Sequence, residues 1–365
     1  MKKIYWIISM ALLFGISHQL DAQQYTFQWQ GVQRQYIIRQ PTESYDETSP
    51  VVFFLHGLGD NIARCDAEYN FTSLANRYGW TFVVPQALNE GMGTMWNAAM
   101  TNSTIDDVGF LMALLDTLTI QCHLDTDSVF FTGFSMGGFM THRMAIEKGD
   151  RITACAPVSG LITFTMSHAT PVAPVKMLHI HGTSDPVVGY DGNSQYFGGT
   201  LGIGVNAILD YWKAANGCEG EPSVDSLPDT HNDGLRFVRY TYDCGTELQH
   251  LKVIGGAHNW YHNSNQYDIS YMDEIHDFFT DDQHTTTAMD EPKIQGLKIW
   301  PNPAKGEIAV EVLSSGRVTV MNLLGEVVWK GMLEAGKTRI DLSSYRPGIY
   351  FIRTQDGEAK RFVLQ

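Results

Sequence analysis

Short apolar segments alternate with helical stretches over residues 51 to 254, and this alternation constrains the fold more than any other feature. Helical periodicity is clearest over 107–120 and 136–148. Strands that alternate with helices form a mostly parallel sheet with helices on both faces, so we predict an α/β fold. The predicted strands are VVFFL (51–55), TFVVP (81–85), SVFFTG (128–133), ITACAPVSG (152–160), VKMLHIH (175–181) and LKVIGG (251–256), preceded by an antiparallel hairpin over 26–39.

The first 22 residues have the pattern of a secretory signal peptide. MKK precedes the apolar run IYWIISMALLFGIS, and Leu20-Asp21-Ala22 stands before Gln23. This order of charged start, apolar centre and small-residue cleavage site is typical of export signals. The run is shorter than the roughly 18 apolar residues that a membrane-spanning helix needs, so we expect an exported chain with no transmembrane segment after cleavage. A retained N-terminal anchor is the alternative interpretation.

A change in composition divides the rest of the chain. After Phe279 the polar stretch TDDQHTTTAMDEPK has no periodicity, which predicts a linker over 281–293 between an α/β domain (23–280) and a C-terminal domain (294–365). The C-terminal segment contains short strands separated by Gly, Asn and Pro turns, so we predict a small all-β sandwich.

The charge disfavours nucleic-acid partners. The formal net charge is −15, although residues 294–365 carry ten Lys/Arg against seven Asp/Glu, so the α/β domain is strongly acidic. An acidic surface repels polyphosphates. Charged residues make up only 18% of the chain and hydrophobic residues 44%, which favours a globular protein over a disordered one.

Gly133-Phe134-Ser135-Met136-Gly137 lies between a predicted strand and a predicted helix. A G-x-S-x-G motif in this context forms a sharp turn that exposes the serine hydroxyl as a nucleophile. The backbone amide of Met136 then lies at the helix N-terminus, where it can stabilise a developing oxyanion.

A serine nucleophile needs a base, and the base needs an orienting carboxylate. Asp185 follows one predicted strand and His258 follows the last, which puts both at the carboxyl edge of a parallel sheet. We therefore predict a Ser135–His258–Asp185 triad. Asp191 is an alternative acid, and His250 or His262 is an alternative base.

The loop after the first long strand, Leu55-His56-Gly57-Leu58-Gly59, provides a candidate second oxyanion donor. Glycines on both sides of Leu58 allow its amide to face the nucleophile. We expect His56 to hydrogen-bond the loop and to take no part in proton transfer.

We predict no metal site and no cofactor. Asp106 and Asp107 precede a helix, where carboxylates commonly cap free amides, and no His or Cys is spaced to complete a zinc site. His179 and His181 lie on the same face of a strand, but the rest of a ligand set is missing.

The five cysteines allow two disulfides in an exported protein. Cys218 and Cys244 bracket an acidic loop and are the favoured pair, with Cys65–Cys122 as a weaker second. Cys155 lies in an apolar run and is expected to be a buried packing residue.

Residues 30–280 resemble the α/β-hydrolase family of feruloyl esterases, acetyl-xylan esterases and poly(3-hydroxybutyrate) depolymerase-like proteins. The resemblance rests on the triad motifs and on five further pieces: His56-Gly57, Trp96-Asn97, Asp106-Asp107-Val108-Gly109-Phe110, Gly217-Cys218 with Cys244, and His258-Asn259-Trp260. It implies the same triad, a Cys218–Cys244 disulfide, and substrate-binding roles for Trp96 and Trp260. The proline and glycine that usually follow the family's tryptophan are replaced by Tyr261-His262, so the mouth of the site is expected to differ.

The C-terminal segment resembles the type A sorting domain of the type IX secretion system. The matching pieces are Trp300-Pro301-Asn302-Pro303, Asn322-Leu323-Leu324-Gly325, Leu342-Ser343 and Pro347-Gly348-Ile349-Tyr350-Phe351. The resemblance implies export and cell-surface attachment through that secretion machinery. A carbohydrate-binding sandwich is the alternative interpretation.

Together these features predict a secreted or surface-attached serine esterase that acts on feruloyl or acetyl esters of plant cell-wall polysaccharide. An aliphatic polyester such as polyhydroxybutyrate is the alternative substrate. A catalytically inactive surface-binding protein and a peptidase are alternatives of other classes.

Overall fold

The computed structural model describes residues 24–42, 48–122, 124–196, 199–262, 266–280, 297–312, 315–322, 327–354 and 359–365. The expected signal peptide and linker lie outside the described residues. The chain divides into two compact units, Met1–His284 and Thr285–Gln365.

The first unit alternates strands and helices along the chain. Its elements are β1 (Gln24–Trp29), β2 (Val32–Arg39), β3 (Ser49–Leu55), α1 (Ile62–Tyr69), α2 (Phe71–Tyr78), β4 (Thr81–Pro85), β5 (Leu88–Asn89), β6 (Thr94–Met95), α3 (Asp107–Cys122), β7 (Leu124–Phe134), α4 (Met136–Lys148), β8 (Ala154–Val158), α5 (Phe164–Ser167), β9 (Lys176–Gly182), β10 (Gln195–Tyr196), β11 (Gly199–Thr200), α6 (Val205–Asn216), β12 (Cys218–Ser226), β13 (Arg236–Cys244), β14 (Leu248–Ile254) and α7 (Tyr271–Thr280).

Ten of these strands form one sheet in the order β1-β2-β4-β3-β7-β8-β9-β14-β13-β12. The six central strands, from β4 to β14, run parallel to one another. An antiparallel pair closes each side, β1–β2 on one and β12–β13 on the other. The predicted mostly parallel sheet and the opening hairpin are confirmed.

Both faces of the sheet are covered by helices because successive strand side chains point to opposite sides. Phe53 of β3 packs in a core with residues of α3, α4 and α6, such as Phe110, and stacks on Phe131 of β7 at 4.7 Å between ring centroids. Its neighbour Phe54 packs in a second core with residues of α1, α2 and α7, such as Ile275. The apolar runs within the central strands, such as VVFFL of β3 and TFVVP of β4, follow from this double coverage.

The β12–β13 hairpin carries a disulfide between Cys218 and Cys244, which stand opposite each other in the ladder. Cys65 and Cys122 are free. The weaker prediction that they pair is wrong, because Cys65 lies in the core of one sheet face and Cys122 packs against the core of the other. Cys155 is fully buried in β8, as expected for a packing residue.

The second unit consists of short antiparallel strands. These are β15 (Lys298–Trp300), β16 (Glu307–Val312), β17 (Gly316–Asn322), β18 (Val327–Leu333), β19 (Gly336–Asp341), β20 (Gly348–Thr354) and β21 (Ala359–Leu364). They form a three-stranded sheet, β15-β16-β19, and a four-stranded sheet, β18-β17-β20-β21. Val310, Val320 and Ile352 contribute to one buried core. The predicted all-β character of this segment is confirmed.

Helices that combine the length and hydropathy needed to cross a bilayer are absent from the described segments of the chain.

Candidate active site

Ser135 occupies the turn between β7 and α4 in a conformation rarely adopted by a side-chain-bearing residue. Its φ is 55° and its ψ is −118°. The Ser135 amide donates to the Val158 carbonyl of β8 at 2.9 Å, which holds the turn against the neighbouring strand. A serine in this strained strand-to-helix turn projects its hydroxyl beyond the sheet edge.

The two flanking glycines are required because α4 begins directly against strand backbone. A Cβ atom on Gly137 would lie 1.8 Å from the carbonyl oxygen of Leu55, at the end of β3. A Cβ atom on Gly133 would lie 2.7 Å from the same oxygen. The turn can therefore form only where both positions lack a side chain.

Asp185 and His258 lie in the loops after the neighbouring parallel strands β9 and β14. His258 Nδ1 donates to Asp185 Oδ2 at 2.7 Å. The other carboxylate oxygen, Oδ1, accepts from the backbone amides of Val187 at 2.9 Å and Val188 at 2.8 Å. Asp185 is buried, so these partners replace its water.

Burial alone would raise the pKa of Asp185, but its hydrogen bond and charge interaction with His258 oppose this. The Val188 and Val187 amides add to that opposition, and the pKa of the carboxyl lies below its usual value. Asp185 is therefore ionised at neutral pH and can fix the orientation of the imidazole.

His258 also lies beside the nucleophile turn. Its ring centroid is 4.7 Å from that of Phe134, the residue before Ser135. Within the segments that the structure describes, no hydrogen bond joins the Ser135 hydroxyl to the His258 ring. Such contacts are often long without substrate and tighten in the reacting complex. The three side chains predicted as a triad thus gather at one sheet edge.

The predicted oxyanion donors flank the same point. Leu58 and Met136 line a cavity together with Ser135. A Cβ atom on Gly57 would lie 3.6 Å from Ser135 Cβ, so the backbone before Leu58 passes close to the nucleophile. Met136 opens α4, and the first amides of a helix have no partner within the helix.

The structure corrects the roles assigned to Trp96 and Trp260. Trp96 is 1% exposed and donates from Nε1 to the His56 carbonyl at 3.0 Å. Trp260 is 3% exposed and packs against Phe54 and Tyr69. Trp96 packs in the core on one face of the sheet and Trp260 in the core on the other, and this burial leaves no free ring face for a substrate.

His56 is buried, and its ring connects two loops. Nδ1 donates to the Gly57 carbonyl at 2.7 Å, and Nε2 accepts from the Ala87 amide at 3.1 Å. Its ring thus ties the Leu58 loop to the end of β4, in keeping with the expected loop-holding role.

The pair Asp106 and Asp107 divides between two roles. Asp106 Oδ1 accepts from the Gly109 amide at 2.8 Å and caps α3, as predicted. Asp107 does not cap the helix. It is fully buried, pairs with Arg34 at 2.7 Å, and accepts from the Asn97 amide at 2.7 Å. Asp106 directly precedes α3 and can therefore reach its free amides, whereas Asp107 is the first residue of α3 and is paired with Arg34.

The alternative acid and bases stand apart from this arrangement. Asp191 is exposed. His250 is buried, with Nδ1 donating to the His179 carbonyl and Nε2 accepting from the Tyr190 hydroxyl. His262 contacts the Trp260 carbonyl through Nδ1 at 3.1 Å. Of His250, His258 and His262, His258 is the one that the structure joins to Asp185 by a hydrogen bond.

A cluster of buried histidines lies behind Asp185, and its size was not evident from the sequence. We call His142, His179, His181 and His250 the histidine cluster; their rings contact one another through His179 at 5.3 to 5.6 Å between centroids. His181 Nε2 donates to the Val188 carbonyl at 2.8 Å. His181 thus holds the loop whose amides bind Asp185.

Burial lowers the pKa values of all four histidines in the cluster, and neighbouring imidazoles lower those of His142 and His179 further. The pKa values of His142 and His250 fall to about 3. Among the described residues, no group of three or more His, Cys, Asp or Glu side chains is arranged to hold a metal ion.

The fold and the site define the class of this protein as an α/β-hydrolase. Residues 40–196 match the phospholipase/carboxylesterase family, and residues 298–365 match the secretion system C-terminal sorting domain. A segment that matches a carboxylesterase family is thus followed along the chain by one that matches a sorting domain.

Proteins named as esterases are among its relatives. The putative esterase NocK of Nocardia uniformis subsp. tsuyamanensis is 27% identical over 231 residues, which cover 59% of this chain and 66% of that protein. The bifunctional acetylxylan esterase/xylanase XynS20E of Neocallimastix patriciarum is 27% identical over 215 residues, or 58% of this chain and 29% of the relative. This chain thus spans just under two thirds of the first relative and under a third of the second. The probable feruloyl esterase C of Aspergillus niger is 26% identical over 230 residues, which cover 61% of this chain and 76% of that protein.

Among solved structures, the acetyl xylan esterase from Aspergillus awamori aligns with a TM-score of 0.50 at 16% identity. The alignment covers 67% of this chain and 93% of that one. At this identity the likeness establishes the fold alone.

Proposed function

We propose that this chain is an exported serine esterase that hydrolyses carboxylic esters through an acyl-Ser135 intermediate. Its natural substrates are feruloyl or acetyl esters of plant cell-wall polysaccharide. The observation that carries the proposal is the His258–Asp185 hydrogen bond of 2.7 Å beside the strained Ser135 turn. The esterase relatives support the substrate class.

In the first half-reaction, Ser135 Oγ attacks the ester carbonyl carbon while His258 Nε2 takes the hydroxyl proton. Asp185 stays ionised and stabilises the resulting imidazolium. The Met136 and Leu58 amides donate to the oxyanion of the tetrahedral intermediate. His258 then returns the proton to the alkoxide, and the alcohol departs.

In the second half-reaction, water attacks the acyl-serine and His258 acts as its base. The carboxylic acid leaves, and Ser135 recovers its proton. The mechanism uses no metal ion and no cofactor.

Residues 1–22 act as the signal peptide, 23–280 as the catalytic domain, and 281–293 as the linker. The sorting domain, residues 294–365, delivers the enzyme to the type IX secretion machinery, which releases it or attaches it to the cell surface.

The direct test is the S135A variant with p-nitrophenyl acetate as substrate. We expect a loss of kcat of at least ~10³-fold with an unchanged fold by circular dichroism, because no other group supplies the nucleophile. S184A is the matched control, since Ser184 is exposed at the same sheet edge and next to Asp185. Retained activity in S135A would remove Ser135 from the mechanism.

The substrate assignment needs a parallel assay of acetylated xylan, methyl ferulate and polyhydroxybutyrate film. Release of acid from the polysaccharide or the ferulate is expected. Release from the polyester alone would reassign the enzyme as a polyester depolymerase.

A further inference from the structure

We propose that the cavity at Ser135 is the acyl pocket of this enzyme, and that it admits an acetyl group and excludes a feruloyl group. The natural substrates would then be O-acetyl esters. This inference rests on the proposed serine esterase function and narrows its substrate class.

The position of the cavity identifies which half of the ester enters it. Its lining includes Ser135 and the two proposed oxyanion donors, Leu58 and Met136. His258 is not part of the lining. Because His258 must return its proton to the departing alkoxide, the alcohol leaves on the side of the imidazole. The group that occupies the cavity is therefore the acyl group.

The size of the cavity favours a short acyl chain. Its volume is about 40 Å³. On this measure one water molecule needs roughly 10–15 Å³, so the cavity holds about three non-hydrogen atoms. An acetyl group has that size, whereas a feruloyl group adds a vinyl linker and a methoxylated phenol ring.

The chemistry of the lining gives the same result. Apart from Ser135, the side chains that line the cavity are aliphatic, thioether or aromatic, among them Met100, Phe139 and Leu201. A methyl group is well accommodated by such a surface. The lining offers no hydrogen-bond partner to the phenol hydroxyl of a feruloyl group, so a cavity enlarged enough to admit the ring would bury that hydroxyl unpaired, which is unfavourable.

One wall cannot retreat to enlarge the cavity. Val188 lines it, and the Val188 amide donates to Asp185 Oδ1 at 2.8 Å. The Val188 carbonyl accepts from His181 Nε2 at 2.8 Å. Moving this wall would release Asp185, so an enlarged cavity requires changes in other lining side chains, such as Met100 and Leu201.

The test compares p-nitrophenyl acetate with p-nitrophenyl ferulate on the full chain, since the two esters share a leaving group and differ only in the acyl group. We expect kcat/KM for the acetate to exceed that for the ferulate by at least ~100-fold, the range expected for an unpaired buried hydroxyl combined with a steric mismatch. Equal values, or a preference for ferulate, would overturn the pocket assignment.

Two variants probe the lining. L201A and M100A each remove side-chain volume from the cavity wall. Each should decrease the ratio of kcat/KM for the acetate to kcat/KM for the ferulate at least tenfold. F164A is the control, because Phe164 is an apolar side chain 50% exposed that does not line the cavity. An unchanged ratio in both folded lining variants would overturn the assignment.

Failure of this inference is distinguishable from failure of the proposed function. A folded wild-type chain that turns over both esters without discrimination retains its esterase function and loses only the acyl-pocket assignment. A folded wild-type chain that turns over neither ester loses both.

Discussion

Asp185 shows how one side chain is held for its role by several weak constraints. His258 and the amides of Val187 and Val188 bind its two oxygens, and His181 holds the loop from behind. These partners stabilise the ionised form despite burial. A neutral amide at this position would keep the shape of the side chain and lose the charge.

We therefore predict that D185N retains the fold and loses activity. The expected decrease in kcat is about 10³- to 10⁴-fold, because an amide cannot stabilise the imidazolium and favours the wrong tautomer of the base. Steady-state kinetics with p-nitrophenyl acetate measures the decrease. D191N is the matched control, since Asp191 is exposed and should be dispensable; a large loss in D191N and a small one in D185N would exchange their roles.

The positions of Ser135, Asp185 and His258 were predictable because each follows a strand whose apolar character is plain in the sequence. The roles of Trp96 and Trp260 were not predictable in this way. A motif fixes where an aromatic residue stands in the chain, but whether its ring faces solvent depends on packing by distant residues such as Tyr69. The separate roles of Asp106 and Asp107 likewise depended on Arg34, which is far away in sequence.

At the scale of elements, the contact of α4 with β3 determines the nucleophile turn. The missing side chain of Gly137 lets the helix begin against the Leu55 carbonyl. Any side chain at position 137 must push α4 away from the sheet. This movement would also displace Ser135 and the Met136 amide, which lie at the start of the helix.

We predict that G137A is destabilised by about 3 kcal/mol or more, since overpacking a rigid backbone contact cannot be relieved by rotamer changes. For a unit of this size the melting temperature should fall by roughly 6–12 °C, as calorimetry would measure. G199A is the control, because a Cβ atom on Gly199 meets no atom within 4 Å. Equal melting temperatures for the two variants would contradict this account of the turn.

The β12–β13 hairpin shows where sequence-based element prediction fails. The segment CEGEPSVDS of β12 is acidic, contains proline and is largely exposed, so it has none of the alternation that identifies a strand. It extends the sheet at its edge, where one partner strand and the Cys218–Cys244 disulfide suffice to hold it. The central strands were predictable because both of their faces are buried.

At the scale of the whole molecule, the histidine cluster couples stability to pH. Burial lowers the folded-state pKa values of these imidazoles, so below pH ~6.5 the unfolded chain binds protons that the folded chain does not. Stability is then fully present above that pH and falls as the pH decreases toward 3. The slope is about 1.4 kcal/mol per pH unit for each such histidine.

We predict that urea denaturation midpoints decrease steadily from pH 7.5 to pH 4.5, a window that lies above the usual pKa of carboxylates. The stability of H142Q should depend less steeply on pH than that of the wild type, because glutamine does not titrate. The difference in slope should correspond to about one proton taken up on unfolding. Midpoints that fall in parallel for the two proteins would exclude His142 as a contributor.

Each of the two units has a hydrophobic core of its own. We predict that a chain ending at Thr280 hydrolyses p-nitrophenyl acetate with the kcat/KM of the full chain, because every proposed catalytic residue lies before that point. The same truncation should abolish delivery to the cell surface or the medium and leave the chain in the periplasm, which fractionation of expressing cells would measure. Loss of activity on truncation would mean that the C-terminal unit contributes to the site.

The central claim is that Ser135 is a nucleophile activated by His258, and covalent labelling tests it most directly. A fluorophosphonate probe followed by peptide mapping should find one adduct, located on Ser135, which is lost in S135A and strongly reduced in H258A. Absence of labelling in the folded wild-type chain, or an adduct on any other residue, would contradict the account.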